Sequence, residues 1–229
     1  MYELYIANKN YSSWSLRPWV LMETLQIAFA ERLVPFNDPD PVNRFTHFSP
    51  TGKVPCLVDG NITVWDSLAI VEYLSERHDG VWASNAKARA WSRSATAEMH
   101  SGFQALRNLH PMNVGLRVRS KAQTEALTKD IARIDALWQQ GLETFRGPFL
   151  AGQNFTAVDA FFCPVAFRFK TYETALSPEA EAYKARLLAL PAMKAWEQAA
   201  LSEQWRDPDH EEEVLASGEI IQDLRSSPN

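Results

Sequence analysis

Over its first third, the chain alternates short apolar runs with longer segments of helical periodicity. The apolar runs are YELYIA, ERLV, CLV and ITVW, and the helical segments are SLRPWVLMETLQI and SLAIVEYLSERH. Two of the runs flank Asp59, Gly60 and Asn61, which are turn-forming residues, so this stretch predicts a hairpin. Strands that alternate with helices are typical of an α/β unit, here in the order β-α-β followed by β-β-α.

Beyond Val81 the strand signals disappear and long segments rich in Ala, Leu, Arg, Gln and Glu follow, chiefly at 86–107 and 124–145. In the second of these segments, apolar residues recur at helical spacing and form one stripe. The stripe consists of Leu127, Ile131, Ile134, Leu137 and Trp138. We therefore expect an all-helical second half, with domains at 1–80 and 86–206 joined by a linker near 80–85.

Charge is distributed unevenly along the 229 residues, whose formal net charge is −5. The acidic tail at 207–229 carries seven acidic residues and one Arg, whereas residues 81–206 carry 16 basic and 11 acidic residues. An acidic terminus of this kind either packs against a cationic surface or, more commonly, stays solvated. The overall composition, 46% hydrophobic and 22% charged, is that of a globular protein, and a negative net charge argues against a nucleic-acid partner.

The two cysteines, Cys56 and Cys163, lie far apart and have no metal-ligand spacing, so we expect no metal site and a reducing compartment. The N-terminal MYELYIANKN lacks the basic start and the sustained apolar run of a signal peptide or membrane anchor. A cytoplasmic protein without a membrane partner is the resulting expectation.

The first candidate for chemistry is a serine-rich turn ahead of the first helix. Because Pro18 is best tolerated in a first helical turn, the helix is expected to begin at Leu16 with Ser15 as its N-cap. Ser12 and Ser13 then precede a helix N-terminus, where free N–H groups and hydroxyls favour an anion such as a thiolate. The alternative is that these serines only cap the helix.

A second candidate is Val54, which is followed by Pro55 at the start of a predicted strand. If the bond between them is cis, the backbone N–H and C=O of Val54 are free to pair with an extended, peptide-like ligand. The alternative is an ordinary trans proline on an edge strand.

A third candidate is the pair Asp66 and Ser67, which follows the last predicted strand. Ser67 is expected to cap the next helix, whose free N–H groups would accept a carboxylate, while Asp66 would meet an ammonium group. Together they match the zwitterionic end of an amino acid. Plain helix capping is again the alternative.

In order and spacing, these motifs resemble those of the soluble, cytosolic-type glutathione transferases, including bacterial ones. PTGKVPCL at 50–57 and DSLAIVEYL at 66–74 resemble the segments that bind glutathione, and SSWSLR at 12–17 resembles the motif of serine-dependent, zeta-like members. Trp14 stands where that motif has a cysteine. FTAVD at 155–159 resembles the family's capping box, with Thr156 and Asp159 as partners. The resemblance implies a thioredoxin-like α/β domain followed by an all-α helical-bundle domain.

The resemblance also implies glutathione as co-substrate and assigns its contacts. Val54 would pair with its cysteinyl backbone, Asp66 and Ser67 would hold the γ-glutamyl end, and Lys53 would reach the glycyl carboxylate. Ser12, or else Ser13, would stabilise the thiolate that attacks a small electrophile in detoxification. The same resemblance implies a homodimer.

The electrophile is expected to bind to the helical half of the chain. There, residues 86–121 carry seven basic residues and one acidic residue, which either attract anionic substrates or form a solvated or dimer-facing surface. Arg107, Asn108 and His110 are expected to line the edge of the cleft, and Trp14 is expected to form one of its walls.

Cys56 is interpreted as an inert core residue. Two alternatives to a transferase stay open: a glutathione-dependent isomerase of the maleylacetoacetate type, and a non-catalytic interaction protein of the same fold.

Overall fold

The computed structural model describes residues 1–36, 38–40, 44–121 and 124–226. Its N-terminal part is a four-stranded sheet in the order β2-β1-β3-β4, in which β1 is parallel to β2 and antiparallel to β3. The predicted hairpin is confirmed, since β3 and β4 pair directly and Gly60 takes a φ of 59° in the turn. The elements are β1 (Tyr2–Ile6), α1 (Ser13–Thr24), β2 (Phe29–Leu33), β3 (Cys56–Asp59), β4 (Ile62–Trp65) and α2 (Ser67–Ser75).

Helix α1 begins at Ser13, three residues before the predicted start at Leu16, and its N-cap residue is Ser12 rather than Ser15. Pro18 therefore lies inside the helix, where it removes one backbone hydrogen bond. Nearly every side of this helix is buried, including Leu16 and Val20 at 0% exposure. Tertiary packing of this kind outweighs the local cost of the proline.

The second half is mainly helical, which confirms the predicted helical domain. Its helices are α3 (Ala86–Ser101), α4 (Gln104–Leu109), α5 (Glu125–Phe145), α6 (Ala157–Thr171), α7 (Pro178–Ala189), α8 (Pro191–Ser202) and α9 (Pro208–Ser217). Helix α6 lies at the centre, with 14 of its residues buried, and packs against α1 and α3. One apolar core consequently runs through both halves of the molecule.

The capping box at the start of α6 is confirmed. The carboxylate of Asp159 accepts hydrogen bonds from the backbone N–H of Thr156 at 2.9 Å and of Leu150 at 2.9 Å, and from the Tyr183 hydroxyl at 2.7 Å. Burial raises the pKa of Asp159 to about 6, although these hydrogen bonds act in the opposite direction. The box thus fixes the central helix against the loop before it and against α7.

The expectation of no strands after Val81 is wrong. Strands β5 (Leu116–Ser120) and β6 (Gly218–Asp223) form a second, antiparallel sheet. In β5 the apolar side chains of Leu116 and Val118 are buried, while Arg117 and Arg119 alternate with them. This alternation is a strand signal, but it extends over only five residues.

The acidic segment from 207 to 226 is folded rather than solvated, because it forms α9 and β6 and packs against the body of the protein. Val214 of α9 is buried at 1% exposure in a small cluster with Leu116, Val118 and Tyr172. Several of its acidic groups have partners, such as Glu219 with Arg119 and Asp223 with Arg225. Residues 227–229 of the predicted tail lie outside the described residues. In the described part of the chain, we find no helix with the length and apolarity needed to cross a membrane.

Candidate functional site

Two adjoining cavities lie beside the N-terminal sheet, and together they are lined by all six residues predicted to bind or activate glutathione. The first, of about 400 Å³, is lined by Ser12 and Ser13; the second, of about 450 Å³, is lined by Asp66 and Ser67. Lys53, Val54 and Trp14 line both cavities, so the two adjoin, and together they are called the groove below. The helical domain contributes Arg107, Pro111, Met112 and Arg168 to the first cavity, and α9 of the C-terminal segment contributes His210 and Glu213.

The two serines at the start of α1 make different hydrogen bonds. The Ser12 hydroxyl donates to Ser15 Oγ at 2.7 Å, and Ser15 Oγ also accepts from the backbone N–H of Ala7 at 3.4 Å. Ser13 Oγ accepts a hydrogen bond from Arg168 Nη2 at 3.4 Å. Because that bond uses an oxygen lone pair, the Ser13 hydroxyl keeps its own proton to donate.

The Val54–Pro55 peptide bond is cis, which is the first of the two alternatives for this position. It lies where the two cavities join, between Lys53 and the start of β3. This placement brings the backbone of Val54 to the middle of the groove.

Asp66, and not Ser67 as expected, is the N-cap of α2. Asp66 has a φ of 75°, and its Oδ1 accepts from the backbone N–H of Leu68 at 2.7 Å. Its second oxygen lies 3.5 Å from His100 Nε2. Ser67 is the first residue of the helix and is buried, with its Oγ accepting from Arg17 Nη1 at 3.3 Å. An Asp cap leaves the remaining N–H groups of this first turn available to a carboxylate.

Cys56 has the surroundings of an inert core residue. It is buried at 0% exposure, and its thiol donates to the Phe48 carbonyl at 3.3 Å. Burial raises the pKa of this thiol to about 11, which keeps it protonated at neutral pH. Burial likewise raises the pKa of Cys163, within α6.

Of the three residues expected to edge the cleft, Arg107 lines the first cavity, while Asn108 is exposed. His110 lines a different cavity of about 690 Å³, where its ring stacks on Tyr172 with centroids 4.0 Å apart. Burial, followed by the charge of Arg168, lowers the pKa of His110 to about 4. The expectation that His110 borders the first cavity is therefore wrong.

Arg168 and His210 also line the first cavity, and neither was predicted from the sequence. Arg168 is the first charged residue after Asp159 in an apolar helix, and this was a usable signal. His210 comes from α9, in the segment expected to be solvated, and its Nδ1 lies 2.5 Å from Asp207 Oδ2. Its ring packs against Tyr11 and Phe36, with centroids 5.0 Å and 4.7 Å away.

Comparison with known proteins agrees with this geometry. Residues 11–77 match the family model described as glutathione S-transferase, N-terminal domain. The chain is 26% identical over 204 residues to the glutathione S-transferase-like protein OpS6 of Beauveria bassiana, a match that covers 84% of this chain and 92% of that protein. It is 28% identical over 127 residues to glutathione S-transferase Z2 of Arabidopsis thaliana, covering 52% and 55% of the two chains.

A shorter match is to a dichloromethane dehalogenase of Methylophilus leisingeri, 51% identical over 45 residues. It covers 18% of this chain, and the chain spans only 17% of the length of that protein. Among solved structures, a glutathione transferase homolog from Burkholderia with bound glutathione superposes with a TM-score of 0.67 at 20% identity, covering 87% of this chain and 97% of that one.

A thioredoxin-like sheet domain followed by a helical domain, with a groove at their junction, defines the glutathione transferase class of fold. Residues 11–77 match that family's N-terminal domain, and over most of its length the chain is similar to a glutathione S-transferase-like protein. Two of these curated relatives carry the names of glutathione S-transferases, and the solved structures share the fold of this chain. Within the described residues, no group of three or more His, Cys, Asp or Glu side chains is placed to hold a metal ion.

Proposed function

We propose that this protein is a glutathione transferase, which binds glutathione in the groove and activates its thiol for attack on a small electrophile. The observation that carries the proposal is that residues from three separate sequence motifs line two joined cavities. In this proposal, domain 1–80 binds glutathione and domain 86–206 supplies the electrophile side. A cytoplasmic location and a homodimer, which are common in the family, are part of the same proposal.

Glutathione would lie along the groove in an extended conformation. Lys53 would meet the glycyl carboxylate and Val54 the cysteinyl backbone. The γ-glutamyl end would lie in the second cavity, with its carboxylate at the N-terminus of α2, where Ser67 is the first residue. Asp66 Oδ2, which lies 3.5 Å from His100 Nε2, would meet its ammonium group. The thiol would then lie in the first cavity, over the start of α1.

The hydrogen bonds favour Ser13 over Ser12 as the donor to the thiolate. Ser12 gives its proton to Ser15, whereas Ser13 accepts from Arg168 and keeps a proton to give. An unperturbed thiol has a pKa of about 8.5, and lowering it by about 2 units requires about 2.7 kcal/mol of differential stabilisation. The hydroxyl, the N-terminus of α1 and the nearby guanidinium together are the groups that supply it.

Single alanine substitutions at the two serines test this assignment. In Ser13→Ala, the thiolate absorbance of bound glutathione should shift to a pH about 1 to 2 units higher, and kcat/KM with a chloronitroarene should fall about 10- to 100-fold. Ser12→Ala should have the smaller effect on both. Ser94→Ala, on the exposed face of α3, is the matched control. The Ser13 assignment is wrong if Ser12→Ala abolishes both signals while Ser13→Ala keeps them.

A glutathione-dependent isomerase of the maleylacetoacetate type is the second candidate function. The match to a zeta-class relative favours it, whereas Trp14 in place of the motif's cysteine weighs against it. A direct assay with the cis-dienoate substrate separates the two candidates, since only an isomerase would convert it to the trans isomer without consuming glutathione.

A further inference from the structure

Three arginines lie near the part of the groove where the thiol would lie, and Arg17 is the most deeply buried of them. Of the two that line the first cavity, Arg107 and Arg168, Arg168 is the more buried. It is 6% exposed and projects from the apolar helix α6. Its guanidinium donates to the backbone carbonyls of His110 and Arg107, and to Ser13 Oγ at 3.4 Å. These are all neutral acceptors, so the positive charge of Arg168 meets no carboxylate in these contacts.

Arg107 and Arg17 place two further guanidiniums close to Trp14, a residue shared by both cavities. The central carbon of Arg17 lies 4.1 Å from the Trp14 ring centroid, and that of Arg107 lies 4.8 Å from it. Arg107 donates to the carbonyls of Gly102 and Met99, again neutral groups. Arg17 is 1% exposed, and its Nε has no partner among the described residues.

The arginines of this cluster repel one another. Among the described residues, none of the three arginines forms an ion pair within 4.0 Å. Burial lowers the pKa of Arg168 to about 10, and the charge of Arg107 lowers it further in the same direction. Burial is also the main cause that lowers the pKa of Arg17, followed by the charges of Arg107 and Arg168. The nearby acidic groups Asp66, Asp130 and Glu213 offset only part of this repulsion.

Like charges held together beside a cavity are stabilised when an anion binds between them. In the proposed pose, the two carboxylates of glutathione lie elsewhere, at Lys53 and at the N-terminus of α2. Arg107 and Arg168 belong instead to the helical domain, on the side of the cavity where the electrophile would enter. The flat ring of Trp14 beside them offers a stacking surface for an unsaturated or aromatic group.

We propose that the second substrate is an unsaturated or aromatic electrophile bearing a carboxylate, which Arg107 and Arg168 bind while Trp14 contacts its apolar part. This inference rests on the proposed function and narrows its substrate class. With 4-chloro-3,5-dinitrobenzoate as probe, the thiolate sulfur forms a bond to the carbon that bears chlorine. The carbon–chlorine bond then breaks, chloride leaves with the electron pair, and the thiol proton is released to solvent.

The test compares this carboxylate probe with its neutral methyl ester, each corrected for its uncatalysed rate. The wild-type protein should have a kcat/KM at least about 10-fold higher for the carboxylate. Arg107→Gln should lower that value about 10- to 100-fold, as expected for the loss of a charged hydrogen-bond partner, and should change the ester value less than about 3-fold. Lys87→Gln removes one charge from an exposed position of α3 and is the matched control.

A binding measurement covers the case in which a variant folds but does not convert either probe. By calorimetry, the product S-(4-carboxy-2,6-dinitrophenyl)glutathione should bind the wild type more tightly than its methyl ester does. Arg168→Lys keeps the charge in the buried position but loses the planar fork, and should reduce that difference in affinity. Thermal melting shows whether each variant is folded.

The outcomes separate this inference from the proposed function. An equal loss for both probes in Arg107→Gln would mean that the cations serve the thiolate, and would overturn the inference. Turnover of both probes by the wild type without any preference would overturn it as well, while the transferase function stands. If glutathione itself does not bind the wild-type protein, the proposed function fails and the inference fails with it.

Discussion

Glu211 of α9 connects the C-terminal segment, residues 207–226, to the serine turn of the candidate site. Its carboxylate accepts from the Tyr11 hydroxyl at 2.7 Å and from both terminal nitrogens of Arg225, which follows β6. Tyr11 directly precedes Ser12. We predict that Glu211→Gln, which keeps the shape of the side chain and removes its charge, loosens this segment while the rest of the fold stays intact.

The magnitude follows from three contacts. A hydrogen bond to a charged group contributes about 1 kcal/mol more than a neutral one, so loss of the charge weakens the three contacts by about 3 kcal/mol. The Glu211 side chain is 24% exposed, and solvent screening reduces this to about 2 kcal/mol. The Arg225 side chain is only 4% exposed, but it keeps Asp223 as a partner. A change of about 2 kcal/mol corresponds to roughly 30-fold in the opening equilibrium.

Hydrogen exchange of the backbone amides of α9 and β6 measures this opening. Protection in both elements should fall roughly 30-fold in Glu211→Gln, while amides of α6 stay unchanged because the segment opens locally. Glu212→Gln, an exposed neighbour on the same helix, is the control. If the Glu211 variant stays within about 3-fold of the wild type, the carboxylate does not hold this segment and the reasoning is refuted.

The pH dependence gives a second readout with a definite sign. Burial alone would raise the pKa of Glu211, but the hydrogen bonds from Arg225 and Tyr11 outweigh it and lower the pKa below its ordinary 4.5. A carboxyl with a depressed pKa in the folded state stabilises that state above its unfolded pKa, and the stabilisation is lost as the pH falls through the folded value. Wild-type protection of β6 should therefore weaken below about pH 4.5, and this dependence should be smaller in the Gln variant. It should not vanish, since burial alone would raise the pKa of Asp223 but the hydrogen bonds from Arg225 outweigh it and lower that pKa too.

Three further predictions concern other parts of the chain. Alkylation of Cys56 at neutral pH should be about 100-fold slower than that of free thiols, since its pKa is raised to about 11, and activity should survive the treatment. The pKa of Asp159 is raised from 3.8 to about 6, which implies about 3 kcal/mol of stability that is present below pH 3.8 and lost as the pH rises through about 6. The free energy of unfolding, measured with denaturant, should lose this pH dependence in Asp159→Asn. Gly115→Ala should lower hydrogen-exchange protection of β6, because the added Cβ would lie 2.2 Å from Arg225 Cγ and would displace that side chain.

The parts of the fold that were predictable depend on local patterns. Asp59, Gly60 and Asn61 define a turn by their own backbone preferences, so the β3–β4 hairpin could be placed from a few residues. The start of α1 could not be placed correctly from the sequence, because Pro18 was interpreted by its local preference for a first helical turn. The burial of α1 against α6 decides where that helix begins, and this packing involves residues more than 100 positions apart.

The second sheet and the C-terminal segment illustrate the same limit. Each strand of the β5–β6 pair finds its partner about 100 residues away, and no local pattern carries that information. Charge counted along the sequence was also misleading. The segment from 207 has a surplus of acidic groups, yet Glu211 and Asp223 pair with Arg225, and Glu219 pairs with Arg119 of β5. The number of acidic residues therefore did not reveal that the segment is folded, because that depends on which basic groups lie next to them.

The same distinction between local motifs and long-range packing applies to the candidate site. The predicted glutathione side came from motifs in which neighbouring residues act together, and these motifs line the groove. The electrophile side depends on which face of α6 and α9 meets the groove, and that was not readable from helical periodicity in a helix buried on almost every side. Arg168 was nevertheless detectable in principle, since a guanidinium in such a helix requires a polar neighbour.

The glutathione side and the electrophile side of the site are formed by different elements of the fold, so a change in one element should affect the two affinities differently. Lys53, Val54, Asp66 and Ser67 belong to the N-terminal domain, which does not depend on α9 for its sheet. His210 and Glu213, by contrast, line the first cavity from α9 of the C-terminal segment. Opening of that segment should therefore raise KM for the electrophile and leave the affinity for glutathione nearly unchanged. Because Tyr11 contacts Glu211 directly before the serine turn, a parallel change in both affinities would instead mean that the segment positions Ser12 and Ser13 themselves.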